Sequence, residues 1–115
     1  MLLFKHHHVP LILNGDKTQT RRKWPKGLRA IVGSVHECKT RLFGPGSEPF
    51  ARVRILKVYR ERLGDMPDED YRKEGLYTCE SFQQVWTDIN GSYDSEEVVW
   101  VVEFEMAAKL VCPAA

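Results

Sequence analysis

The chain has 115 residues, 43% hydrophobic and 29% charged, the proportions of an ordinary globular domain and not of a disordered segment. That length supports one core, so the expectation is a single domain over residues 1–115. The net charge of +1 conceals an asymmetry, because residues 1–62 carry 14 Lys and Arg against 4 Asp and Glu, and residues 63–115 carry 3 against 12. Such polarisation either offers a basic face to nucleic acid or is neutralised where the two halves pack together. The cysteines, Cys38, Cys79 and Cys112, are far apart and form no CxxC pair, which argues against a zinc knuckle or a disulfide framework and for reduced thiols in the cytoplasm. Met1–Phe4 is too short for a signal peptide, and no apolar run reaches spanning length, so no membrane is expected as a partner.

In chain order, Met1–Phe4 reads as a short edge strand or an N-terminal plug. His6-His7-His8 follows, and adjacent imidazoles on one segment rarely converge on a metal. The run is read as exposed, or as a tag remnant, and no metal or other cofactor is assigned. Val9–Asn14 has the pattern of a short helix with Val9, Ile12 and Leu13 turned inward, and Asn14-Gly15 supplies its left-handed end. Lys17 to Arg22 then alternates as a strand does, with Thr20 and Arg22 on one side. Trp24-Pro25-Lys26-Gly27 is a turn in which Trp24 either covers one end of the core or stacks a base between two cations.

Gly33-Ser34 leads into a strand from Val35 to Thr40, and Gly44-Pro45-Gly46-Ser47 marks a hairpin. Phe50–Arg62 is the longest strand pattern, with a phase change near Leu56 that predicts a bulge. Arg52, Arg54 and Lys57 point outward along it. Asp65 and Pro67 open a short helix rich in acids in its first turn and closed by Gly75. Glu74 therefore lies at the negative pole of that helix, where a carboxylate calls for a cationic partner such as Lys17 or an arginine. A second helix is capped by Thr78, with Phe82, Val85, Trp86 and Ile89 on one face, which reads as core. Gly91 ends it, Ser92–Ser95 is a polar loop containing Tyr93, Val98–Glu105 is a central strand, and Cys112–Ala115 is a loose tail.

The stretch Gly15-Asp16-Lys17-Thr18-Gln19-Thr20-Arg21-Arg22 gathers cations and hydroxyls suited to an anion or to the polar edge of a base. A solvated edge strand is the plainer account of the same residues. In this order, and with an apolar helix before it, the pattern resembles the ASCH family, whose hallmark G-x-K-x-x-x-x-R is met by Gly15, Lys17 and Arg22, with Thr20 inside it. The resemblance continues through Glu74-Gly75, the aromatic helix, Asn90-Gly91-Ser92-Tyr93 and the closing Val-Trp-Val-Val-Glu-Phe-Glu strand.

It implies an α+β fold, a small PUA-like β-barrel with two or three short flanking helices, and a link to RNA. From the branch of that family that hydrolyses N4-acetylcytidine it implies Lys17, Thr20 and Glu74 as catalytic residues. Two functions follow. One is an amide hydrolase of an acylated nucleoside, with Lys17 as base, Thr20 as nucleophile or water holder, Glu74 as proton shuttle and Arg22 at the oxyanion or pyrimidine edge. The other is a single-stranded RNA-binding module or ribonuclease in which Arg21, Arg22 and Lys23 meet phosphates and Trp24 or Tyr93 stacks a base. The expected partner is RNA or a modified nucleoside, and the expected assembly a monomer or weak homodimer.

Overall fold

The structure, a computed structural model, describes residues 1–110. The loose tail expected at Cys112–Ala115 lies outside the described residues. Strands β1 (Leu2–Leu3), β2 (Gln19–Arg22), β3 (Val35–Lys39), β4 (Ala51–Arg62) and β5 (Val98–Lys109) form one sheet in the order β1-β3-β4-β5-β2. Helices α1 (Val9–Leu13), α2 (Asp68–Gly75) and α3 (Cys79–Asn90) pack around it. The result is α+β, a five-stranded sheet curled into a half-barrel. None of the helices among the described residues is long and apolar enough to cross a membrane.

Curling follows from β4. Val53 and Ile55 are buried while Arg52 and Arg54 are exposed, so the strand begins with a clean two-residue alternation. Its register against β5 slips between Arg52 and Val53 and again between Ile55 and Lys57, and each slip bends the strand. The second leaves Leu56 exposed and is the bulge expected from the phase change. Strand β5, paired on both sides, buries residues on both of its faces. Val102 and Phe104 join the interior cluster of Leu2, Phe4, Ile12, Val53 and Ile55, whereas Val99 joins Leu63, Tyr71, Phe82 and Trp86 beneath α2 and α3. The edge strands β1 and β2 also meet: Arg22 Nη2 donates to the carbonyl of Leu3 at 2.7 Å, a side chain closing a gap that no ladder spans.

Two local expectations are corrected. Asp65 does not cap α2; it lies in a 3-10 turn and pairs with Arg62 at 2.9 Å, and Pro67 occupies the cap position. Strand β2 is an edge strand but not a solvated one, because Gln19, Thr20 and Arg21 are buried. The reason is α2, which covers its open side: the amide of Thr18 donates to the Lys73 carbonyl at 2.9 Å. Thr78 does cap α3, in a reciprocal arrangement with Ser81.

Candidate functional site

The Gly15–Arg22 stretch is held at three points. Gly15 has φ +86°, the left-handed conformation that ends α1 and that a side chain rarely adopts. The amide of Lys17 donates to Leu11 at the end of α1, and the carbonyl of Thr18 accepts from Phe104 on β5. With Thr18 also tied to Lys73, these bonds deliver the Lys17 side chain to the last turn of α2.

There Lys17 is almost wholly enclosed, at 2% exposure. Its Nζ donates to the Gln19 carbonyl at 2.7 Å, the Glu74 carbonyl at 2.6 Å and Glu74 Oε1 at 3.3 Å. Three acceptors match the three protons of an ammonium, and one of them is an orphan carbonyl at the helix's negative pole. Burial pushes the Lys17 pKa down from its ordinary value, Arg22 and Arg21 add to that, and Glu74 opposes it. Arg21 approaches Glu74 from the other side, with Nη1 donating to Glu74 Oε2 at 2.9 Å and to Gln19 Oε1 at 2.9 Å. Its Nη2 meets Asp70 and its Nε meets Glu61, each at 3.0 Å. Burial works against the Arg21 charge, but Glu74 and Glu61 prevail and raise its pKa.

The arginine expected to meet phosphate is therefore engaged by three carboxylates. It holds Glu74 in place and is not free for a ligand. Thr20 and Arg22 share the other side of β2, where Arg22 Nε donates to Thr20 Oγ1 at 3.0 Å. The hydroxyl proton of Thr20 is thus left for another acceptor. Among the described residues Arg22 forms no ion pair; its Cζ lies 5.0 Å from the centre of the Phe4 ring.

Lys17, Thr20, Arg22 and Glu74 border a single cleft of about 360 Å³, together with Lys23, Lys5, Phe4, His8, Thr40 and Tyr77. The α3 residues Phe82, Val85, Trp86 and Ile89 form its apolar wall. That face is core, as its periodicity implies, but only in part: Phe82 and Trp86 are buried, while Ile89 is 49% exposed. Phe82 and Trp86 do both, packing in the cluster with Val99 and lining the cleft.

The remaining sequence candidates are dispersed. Lys23 is at the cleft but pairs with Glu97 at 3.4 Å. Trp24, at φ 36°, packs against the interior cluster and borders a separate hollow of about 180 Å³ with Arg22 and Arg29. Tyr93 packs beside the cluster under α2 and α3 and does not line the cleft. Gly15 shapes the chain without lining the cleft.

The reading of the histidine run as exposed requires correction. His6 and His7 are exposed, but His8 is buried, lines the cleft and shares the Tyr77 hydroxyl with His7. Burial first, and then the charges of Lys17, His7 and Arg22, push the His8 pKa down to about 3. Tyr77 was not signalled by the sequence, since it follows α2 in a connection with no periodicity. Among the described residues no three His, Cys, Asp or Glu side chains are grouped to hold a metal.

Two solved structures share this architecture. An ASCH domain from Lactobacillus crispatus JV V101 superposes with a TM-score of 0.69 at 14% identity, over 85% of this chain and 69% of that one. The DUF984 protein EF3133 from Enterococcus faecalis V583 gives 0.69 at 15% identity, over 93% of this chain and 74% of that one. No family model matches the sequence, and no curated protein does. The chain therefore has an ASCH-like fold.

Proposed function

We propose that the cleft is the active site of an amide hydrolase acting on an acylated nucleoside, with N4-acetylcytidine as its type substrate. What supports this is the meeting of an ammonium, a hydroxyl and a carboxylate, from Lys17, Thr20 and Glu74, at one cleft of about 360 Å³, a volume suited to a small ligand. The resemblance of the Gly15–Arg22 motif to that of the N4-acetylcytidine hydrolases supplies the substrate.

In the resting arrangement Lys17 carries its full set of protons and makes no hydrogen bond to Thr20. A ligand entering the cleft displaces water and strengthens the desolvation already acting on Lys17. One ammonium proton then passes to Glu74 Oε1, 3.3 Å away. The free amine takes the Thr20 hydroxyl proton as Oγ1 bonds to the acyl carbon, and Arg22 faces the charge that develops on the carbonyl oxygen. The C–N bond breaks while the Glu74 carboxyl returns its proton to the leaving amine. Water then attacks the threonine ester, giving a proton to Glu74, and Lys17 restores the hydroxyl. Transfer of the Glu74 proton back to Lys17 resets the pair.

Incubation with N4-acetylcytidine should release cytidine and acetate. Lys17→Met and Thr20→Ala should each lower kcat/KM by about 10²–10⁴, the worth of a positioned base or nucleophile. Absence of turnover, or turnover unchanged from the parent in both variants, would discard the hydrolase. The hollow that joins Arg22, Trp24 and Arg29 favours a second reading, a non-catalytic module for single-stranded RNA. In that case binding weakens steeply with added salt and no nucleoside is consumed.

A further inference from the structure

His8 and Tyr77 border the cleft but take no part in the chemistry above. Tyr77 Oη lies 2.6 Å from His8 Nε2 and 2.9 Å from His7 Nε2. A phenol has one proton to give, and burial, with the charge of Glu74 behind it, pushes the Tyr77 pKa up to about 12, so the proton stays on. It can donate to one imidazole only and must accept from the other. Hydroxyl donors make shorter bonds than ring N–H donors, so O–H to His8 Nε2 at 2.6 Å with N–H from His7 at 2.9 Å is the assignment that fits the two distances. An acceptor Nε2 on a neutral imidazole leaves the proton on Nδ1.

Burial keeps His8 neutral, with a pKa of about 3. Its Nδ1 has no hydrogen-bond partner among the described residues. The one sealed side-chain polar atom without a partner there is Trp86 Nε1, so Nδ1 of His8 is not closed off. Close packing holds the pair: a methyl group on Gly75 would lie 2.7 Å from the Tyr77 ring and 3.1 Å from His8 Nε2.

We infer that His8, its tautomer set by Tyr77, presents Nδ1–H to the cleft as an uncharged donor that reads a carbonyl oxygen on the ligand. The inference rests on the cleft being the ligand site proposed above. It narrows the ligand class, because a neutral donor beside Lys17 and Arg22 selects an amide or ring carbonyl where a cation would favour a carboxylate. His8 is here a specificity residue and Tyr77 the residue that positions it.

Nitrogen-15 NMR of histidine-labelled protein reads the tautomer directly. The expected result is His8 protonated on Nδ1, with that resonance moving when millimolar N4-acetylcytidine is added. Protonation on Nε2, or an Nδ1 resonance that the ligand does not move, overturns the inference. In turnover, Tyr77→Phe should raise KM about tenfold with kcat nearly unchanged, the worth of one hydrogen bond. His8→Asn, whose amide can place a donor near the Nδ1 position, should keep KM closer to that of the parent than His8→Gln does. Equal KM values for the parent and Tyr77→Phe count against it. If no nucleoside is hydrolysed, the hydrolase falls, while the tautomer and the ligand-induced shift still decide the role of His8.

Discussion

Arg21 binds three carboxylates in the interior of the site, and the charge balance there is what allows Glu74 to stand beside Lys17. Removing one partner from such a group costs about 3–5 kcal/mol, because the rest are left buried and uncompensated. A loss of activity in an Arg21 variant therefore reports folding before it reports chemistry. His8 gives the cleaner prediction at this scale. Its pKa falls from 6.5 in the unfolded chain to about 3 in the fold, so between those values the unfolded chain binds the extra proton.

Stability should accordingly rise with pH from about 3 to 6.5 and then level off. His8→Asn should flatten that limb, as urea midpoints taken across the range would show; an unchanged slope contradicts the burial of a neutral imidazole. Lys17 and Thr20 are legible in the sequence because they stand three residues apart, Lys17 just ahead of β2 and Thr20 within it. Glu74 is legible because a carboxylate at a helix C-terminus needs a cation. His8 is not, since its burial depends on Tyr77, 69 residues away.

At the scale of elements, the last turn of α2 fixes both the carboxylate and the tyrosine. Gly75 ends that helix where a Cβ would collide with the Tyr77 ring at 2.7 Å. Alanine in a helix is ordinarily about 0.5–1 kcal/mol better than glycine. Here the contact is with a ring held by two imidazoles and by Phe82, so the collision outweighs the helical gain. Gly75→Ala should lower Tm and raise KM together; a higher Tm with KM unchanged would show that Tyr77 moves freely. The Thr78 cap of α3 and the bulge in β4 could be read from local residue types, whereas Asp65, expected to cap α2, turns to Arg62 instead. The burial of β2 could not, because an alternating polar strand looks the same whether water or a helix covers its open side. Likewise, helical periodicity in α3 identifies an apolar face without telling which part of it meets core and which part meets a cleft.

Across the whole molecule, part of the charge asymmetry resolves by internal pairing. Lys17 and Arg21 reach Glu74, Lys23 reaches Glu97, Arg54 reaches Glu105 and Arg62 reaches Glu96, all joining the basic half to the acidic one. Composition alone allowed this or a basic face, and the fold holds some of each: the sheet order lays β2 and β4 on either side of β5, where several of these pairs form, while Lys5, Arg22, Lys57 and Arg60 form no ion pair among the described residues. The account turns on a single claim, that groups far apart in the chain serve one ligand in one cleft. Its most direct measurement is a titration of N4-acetylcytidine into isotope-labelled Thr20→Ala protein, in which the predicted loss of turnover preserves the ligand, followed by NMR. The account predicts shifts confined to His8, Lys17, Arg22, Glu74, Tyr77 and the cleft side of α3. Shifts centred on Arg52, Arg54 and Lys57 of the outer sheet face, or none at all, would contradict it.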